Sequence, residues 1–362
     1  MKATKWECLS AKRLCVPLPP PALLLAILVA ALATPALAQS GYQDRDTHSR
    51  IAFIQPNAQG TEQDVFTMKP DGTDIQQLTN VGGNNYASWE SWSSDGGMIV
   101  FALFSVAPGQ LWLTNVDGSH QRLLLSEADY FETTPSFSPD GAWIAFTRCE
   151  VVGNGNGCAI SRIRVDGSGL TTVTQPQLEV NDSEPVYSPD GGTIAFDSFS
   201  RDGVLGALYL ADSDGSNIRQ LTPSAIGAEN PHWSPDGEKI VFSSRCCNNP
   251  QNADIWIINR DGSGLHRLTG STATDLDIPV AYYNDHPSWS PRGHAIVFDQ
   301  YLVSGGANAI YIVGADGTGM MQLIARPAAP RSAAEAERKK HQHMPVEIQQ
   351  GGFLPRWSPE LP

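Results

Sequence analysis

The sequence predicts an all-β fold: a six-bladed β-propeller of four-stranded antiparallel blades, its ring closed by the C-terminal strand completing blade one. Three observations predict it. An aromatic-Ser-Pro-Asp-Gly turn recurs as WSSDG from Trp92, FSPDG from Phe137, YSPDG from Tyr187, WSPDG from Trp233, WSPRG from Trp289 and WSPEL from Trp357. An Asp-Gly turn recurs at Asp71, Asp117, Asp166, Asp214, Asp261 and Asp316, at intervals of 46 to 55 residues. Short apolar runs lie between the two kinds of turn. A unit of this length holds one small twisted sheet, which cannot bury both faces until neighbours stack around an axis.

Each strand of the unit follows from its residues. The innermost strand carries the aromatic that precedes the Ser-Pro turn. The second is β-branched and aromatic, ending at Phe53, Phe101, Phe146, Phe196, Phe242 or Phe298. The third holds an aromatic five residues before its Asp-Gly: Phe66, Trp112, Tyr209, Trp256 and Tyr311, with Ser161 in blade three, which is expected to pack differently. The fourth runs towards a Leu-Thr. In the first turn proline presets φ at one corner and glycine takes a positive φ, and the Asp-Gly pairs close the next hairpin. The repeated aspartates are therefore read as turn residues and not as catalytic carboxylates.

The ends interlock. The first repeat starts at Ile51 on its second strand, while GGFLPRWSPELP supplies the missing innermost element at the other end. Joining the two hides edge strands that a linear array would expose. The expected organisation is a cleaved signal peptide at 1–38, an extension at 39–50, the propeller at 51–325, an insert at 326–352 that is helical or flexible, and the closing strand at 353–362. The leader reading rests on Lys2, Lys5, Lys12 and Arg13 ahead of an apolar run from Ala22 to Ala33, and on Ala36 and Ala38 before Gln39. That run is shorter than the ~20 residues a membrane span needs.

Charge and cysteine content point the same way. Removing the leader's net +3 takes the chain from −14 to −17, which disfavours nucleic acid and anionic lipid as partners. Cys149 and Cys158 flank a glycine-rich hairpin tip and are expected to form a disulfide in an oxidising, periplasmic or secreted location. Closing such a loop of ~10 residues is worth roughly 2.5–3 kcal/mol in the chain-entropy model. The pairing of Cys246 and Cys247 is left open between a vicinal bridge and a longer crossing.

No Gly-x-Ser-x-Gly elbow, His-Glu-x-x-His helix, phosphate loop or dinucleotide fingerprint is present. No catalytic residue, metal ligand or cofactor is assigned. Asp212 to Asn217 resembles half a calcium loop but lacks the closing glutamate, and His341 and His343 have no partner ligands nearby in sequence. Calcium in the channel is thus a candidate without a supporting motif. The variable loops lie on the side where strands two and three connect, and recognition is expected there. Glu132, Asp182, Glu184, Asn230, His232, Asp285 and His286 fall at the entry to the innermost strands, and Asp197 and Asp299 follow strand two on the same side. With Arg201, Tyr282 and Tyr283 from the loops, these form the candidate ligand or partner site. Solvated strand ends in a wet channel would give the same pattern.

The WSPDG turns, the IVF-type strands and NRDGSGLHRLT at Asn259 to Thr269 closely resemble the TolB-like, WD40-like (PD40-type) propeller repeats of bacterial envelopes, over about Ile51 to Met321 plus the closing strand. The resemblance implies a non-catalytic exported propeller, monomeric, that binds an envelope protein or polymer. The alternative is a metal-dependent polysaccharide lyase, to whose scaffold this propeller class is similar, with His232, His286, Glu184 and Asp285 as base and ligands.

Overall fold

The computed structural model describes residues 49–56, 62–83, 85–105, 109–151, 157–177, 180–201, 206–245, 253–270, 282–302, 308–326 and 354–359. The leader, most of the extension, the insert, Cys246 and Cys247 lie outside the described residues.

Among these residues the chain is β-structure throughout, apart from a 3-10 turn at Ser224–Ile226. In order the strands are β1 (Ile51–Pro56), β2 (Gln63–Met68), β3 (Gln76–Gln77), β4 (Tyr86–Trp92), β5 (Met98–Phe104), β6 (Gln110–Asn115), β7 (Arg122–Leu125) and β8 (Tyr130–Phe137). They continue as β9 (Trp143–Glu150), β10 (Cys158–Arg164), β11 (Thr171–Thr172), β12 (Asn181–Tyr187), β13 (Thr193–Phe199), β14 (Ala207–Asp212), β15 (Arg219–Gln220) and β16 (Ala228–Trp233). The last are β17 (Lys239–Ser244), β18 (Asp254–Asn259), β19 (His266–Arg267), β20 (Tyr282–Trp289), β21 (Ala295–Leu302), β22 (Asn308–Gly314), β23 (Met321–Arg326) and β24 (Arg356–Trp357). Antiparallel pairing runs β4 to β7, β8 to β11, β12 to β15, β16 to β19 and β20 to β23 in sequence order. At the start of the chain β24 pairs with β1, β1 with β2, and β2 with β3. Single parallel bridges, Gln63 to Tyr86 and Cys158 to Asn181, merge four of these modules into two larger sheets.

Each innermost strand breaks its register at the same place. Between Ser88 and Ser91, Thr133 and Ser136, Ser183 and Val186, Glu229 and His232, and Asp285 and Ser288, two residues face one on the next strand. The first residue of each bulge has positive φ: Trp89, Thr134, Glu184, Asn230 and His286, with Leu354 at the matching place before β24. The residue opposite each bulge is Phe101, Phe146, Phe196, Phe242 or Phe298, all fully buried. Burying one such side chain contributes about 2–3 kcal/mol. Phe53, Phe196 and Phe298 also stack on third-strand aromatics Phe66, Tyr209 and Tyr311, with centroids 5.8 Å apart. Where Ser161 replaces that aromatic, it faces Phe146, and Arg162 and Arg164 cover Trp143 instead.

The repeated polar residues hold the turns. Asp95, Asp140, Asp190 and Asp236 each accept from the serine two residues before and from the amide two residues after. These bonds hold the four carboxyls below their ordinary range. The Leu-Thr threonines have a matching job: Thr79, Thr174, Thr222 and Thr269 accept from the third-strand amides of Val65, Ile160, Leu208 and Ile255, each at 2.9 Å. Cys149 and Cys158 face each other across β9 and β10 and form the expected disulfide.

Neighbouring modules meet through their glycine turns. A Cβ on Gly215, which sits at φ +90°, would lie 2.1 Å from the carbonyl oxygen of Val173 in the preceding module. Gly72 of the first module approaches the carbonyl of Leu323 in the last in the same way. One apolar cluster joins Ile51, Phe53, Phe66 and Met68 to Val297, Ile310, Ile312 and Trp357. Arg50 and Ser358 exchange two hydrogen bonds beside it, at 2.8 and 2.7 Å. Deleting residues 353–362 strips β1 of its second partner, β24, and unburies this cluster. The thermal midpoint is expected to fall by about 10 °C or more, from the usual scaling of stability with midpoint; an unchanged melting curve would contradict the role given to this segment.

Candidate functional site

The bulges aim polar side chains at a shared interior. Glu184, Asn230 and His232 line a cavity of about 60 Å³ with Trp89, Glu90, Thr134 and Arg356. A second cavity of about 230 Å³ continues beyond Ser91, Ser136, Val186, His232 and Arg356 towards the Ser-Pro turns. The two share that belt of residues.

Of the candidates read from sequence, Asn230, Asp285, His286 and Asp299 form one network. Nδ1 of His286 lies 2.9 Å from Oδ1 of Asp299, while Oδ1 of Asp285 accepts from the His286 amide at 3.0 Å and from Nδ2 of Asn230 at 2.8 Å. The hydroxyl of Tyr301 lies 3.4 Å from the other Asp285 oxygen. Burial opposes charge on His286, but the carboxylates of Asp285 and Asp299, the bond to Asp299 and Glu184 outweigh it and push the imidazole up to about 10. His232 goes the other way. Burial, then the positive charge of Arg356, holds it down at about 3, and its Nδ1 lies 3.1 Å from the carbonyl oxygen of Trp233 and 3.3 Å from the amide of Trp289.

Most of the remaining candidates are engaged within their own modules, and Tyr283 is engaged by its neighbour. Asp182 accepts from Arg201 at 2.6 Å and from Ser198 at 2.7 Å. Asp197 accepts from Ser183, and burial, followed by the charges of Glu229 and Asp182, raises its carboxyl well above the ordinary value. Glu132 is fully buried, 3.6 Å from Nε of Arg148, and burial raises it to about 7 against the pull of that cation. Tyr283 stacks on Tyr301 at 5.2 Å and lies under the guanidinium of Arg245. The backbone of Tyr282 pairs with Leu302, and its side chain lies outside the described residues.

Two residues that sequence reasoning passed over dominate the interior. Glu90 is 1% exposed, neither carboxylate oxygen has a hydrogen-bond partner, and burial pushes it up to about 8. Arg356, on β24, donates to the carbonyls of His286 and Pro287 at 3.2 and 3.4 Å and feels Glu90, Glu184, Asp299 and Asp285. Aligning the repeats would have exposed both. Glu90 stands where Pro135, Pro185, Pro231, Pro287 and Pro355 stand, and Arg356 is the one cation in the column of Ser91, Ser136, Val186, His232 and Ser288. Among the described residues no group of three or more His, Cys, Asp or Glu is placed to hold a metal ion, and no helix is long and apolar enough to cross a membrane.

Comparison with known proteins places this arrangement. Residues 45–334 match the TolB beta propeller domain family. An uncharacterized protein of Agrobacterium fabrum is 32% identical over 171 residues, covering 46% of this chain and 54% of the other. A TolB homolog of Chlorobium chlorochromatii is 31% identical over 149 residues, covering 41% and 31%. The crystal structure of TolB from Acinetobacter baumannii superposes with a TM-score of 0.64 at 21% identity, over 87% of this chain and 67% of that one. The chain spans about half or less of the length of these curated relatives.

The buried ionisable groups fix how stability varies with pH. Glu90, Glu132 and His286 are all raised, from 4.5 to about 8, from 4.5 to about 7 and from 6.5 to about 10. Each contributes stability that is complete below its unfolded value and is lost as pH rises through its folded one. His232 is lowered from 6.5 to about 3, so its contribution is present above 6.5 and lost as pH falls through about 3. Between 4.5 and 6.5 the two glutamates lose more than His232 gains, so the thermal midpoint should be highest near pH ~4–5 and fall steadily towards pH ~9. Glu90→Gln should flatten that alkaline slope; an identical slope in the variant would show that Glu90 is not a source of it.

Proposed function

Because this chain belongs to the TolB beta propeller domain family, we propose that it is an exported, non-catalytic, six-bladed propeller that binds an envelope protein or polymer through its loop face. The observation that carries this reading is a set of braced arginines at the loop-side ends of three successive modules. Arg148 lies over Tyr130 and pairs with Glu127 and Glu132. Arg201 lies over Tyr209 and pairs with Asp182. Arg245 lies over Tyr283 and pairs with Glu229. Arginine and tyrosine are the side chains that most often anchor protein interfaces, and fixing them before binding reduces the ordering cost of association.

The ring itself belongs to this proposal. The pairing of β24 with β1, the contact of Gly72 with Leu323 and the cluster shared by the first and last modules all support closure by residues 354–359. Four strands per module and cavities lined from every module support six blades around one axis. Export is supported by the leader-like segment and by the disulfide. A lyase role for His232 and His286 finds less support. His232 is held neutral against backbone groups, and His286 is fully buried against Asp299.

The test is crosslinking of the tagged chain to envelope extract, wild type beside an Arg201→Ala, Tyr282→Ala, Tyr283→Ala triple variant and an Asp117→Asn variant on the opposite, turn side. Capture that disappears in the triple variant and persists in Asp117→Asn is the expected result. Capture indifferent to the triple variant, or no capture by wild type, would remove the loop face from the reading.

A further inference from the structure

The larger cavity opens on the side of the Ser-Pro turns, away from the loop face, and its chemistry differs from the rest of this acidic chain. Trp92, Phe137, Tyr187, Trp233, Trp289 and Trp357, one from each module, form its wall. Serines and prolines of the turns form its mouth. Its described lining holds no carboxylate, although the chain from Gln39 onward carries a net charge of −17. The turn aspartates nearest the mouth are turned back onto their own serines and amides.

The floor is Arg356. Its guanidinium is always charged and offers five N–H donors in a planar fork suited to a carboxylate. Two backbone carbonyls, those of His286 and Pro287, are engaged by one of its nitrogens, and among the described residues it forms no ion pair within 4 Å. The wall side chains of Tyr187, Trp289 and Trp357 are only 5 to 7% exposed and present chiefly ring surface to the funnel. Glu90 and Glu184 lie on the far side of the shared belt, in the smaller cavity. The interior is thus polarised, acidic towards the loops and aromatic, with Arg356 and without a described carboxylate, towards the turns.

We propose that the turn-side funnel is a binding site for a carboxylate carried on an apolar or aryl body, with Arg356 meeting the carboxylate and the aromatic wall meeting the body. Two sources share that chemistry, a small aryl acid and the free C-terminus of a peptide ending in an apolar residue. Neither touches the loop face, so this site stands whether or not the partner reading above holds.

The experiment is calorimetric titration of the full chain with benzoate and with its neutral isostere benzamide, and with Gly-Gly-Phe as free acid and as amide. Saturable binding of at least one acid, about tenfold or more tighter than its neutral counterpart, is expected for a charge-assisted contact. A tighter peptide acid assigns the site to a C-terminus, and a tighter benzoate to a free acid. Ser94→Asp adds a carboxylate at the exposed mouth, outside the packed core, and should weaken binding by about fivefold or more through like-charge repulsion. Arg356→Lys should retain part of the affinity and Arg356→Met none, the latter read only if its melting curve shows a folded protein. No saturable heat from either acid, equal binding of acid and amide, or an unaffected Ser94→Asp would overturn the proposal.

Discussion

The positive-φ bulge in five innermost strands, echoed by the positive φ of Leu354 before β24, is the constraint from which the rest of this molecule follows. Two residues face one across the hairpin, so each strand bends inward and the buried phenylalanine of the neighbouring strand sits opposite the break. Positive φ is unfavourable for side chains such as Thr134 and Trp89, and it persists because surrounding packing over-determines it. The proline that follows in most modules removes an amide that the bulge would leave without a ladder partner. Without this bend the polar residues of the inner strands would stay within their own sheets and share no interior.

Electrostatics then divides that interior. The short strand β24 brings Arg356 in from the far end of the sequence, towards Glu90, Glu184, Asp285 and Asp299. Those carboxylates are placed by four different strands, so the cation acts on groups that no local segment unites. Burial makes the arrangement sensitive: Glu90 favours its protonated form, His286 its charged form and His232 its neutral form. Removal of Arg356 would leave buried acid charge with less compensation, which couples the seating of β24 to the state of the cavity.

Much of the fold was legible because it is written six times. Turn chemistry at the Ser-Pro-Asp-Gly and Asp-Gly sites depends on local residues, and it predicts both the strand boundaries and the turn-holding role of the repeated aspartates. The Cys149–Cys158 bond was readable for the same reason, since a hairpin fixes its own register. The site was less legible. Glu184, Asn230 and His232 stood out as polar residues at strand entries and do line the interior, and His286 is buried beside it against Asp299, but Glu132, Asp182 and Arg201 stood out equally and are bound up within their own modules. Glu90 and Arg356 were missed because their meaning is relational. Each is ordinary in its own stretch and exceptional only beside the equivalent residues of the other repeats.

The central claim is that residues 354–359 make the modules one cooperative unit. Native-state hydrogen exchange measures this directly, by comparing the amide of Ser358, bonded to the Arg50 carbonyl at 2.7 Å, with amides in the middle of β13 and β17 as denaturant is raised. The account predicts that all of them converge on a single opening free energy, that of global unfolding. Free exchange at Ser358 while β13 and β17 stay protected to the global limit would contradict it, and would make the closing segment an ornament on an array that is stable without it.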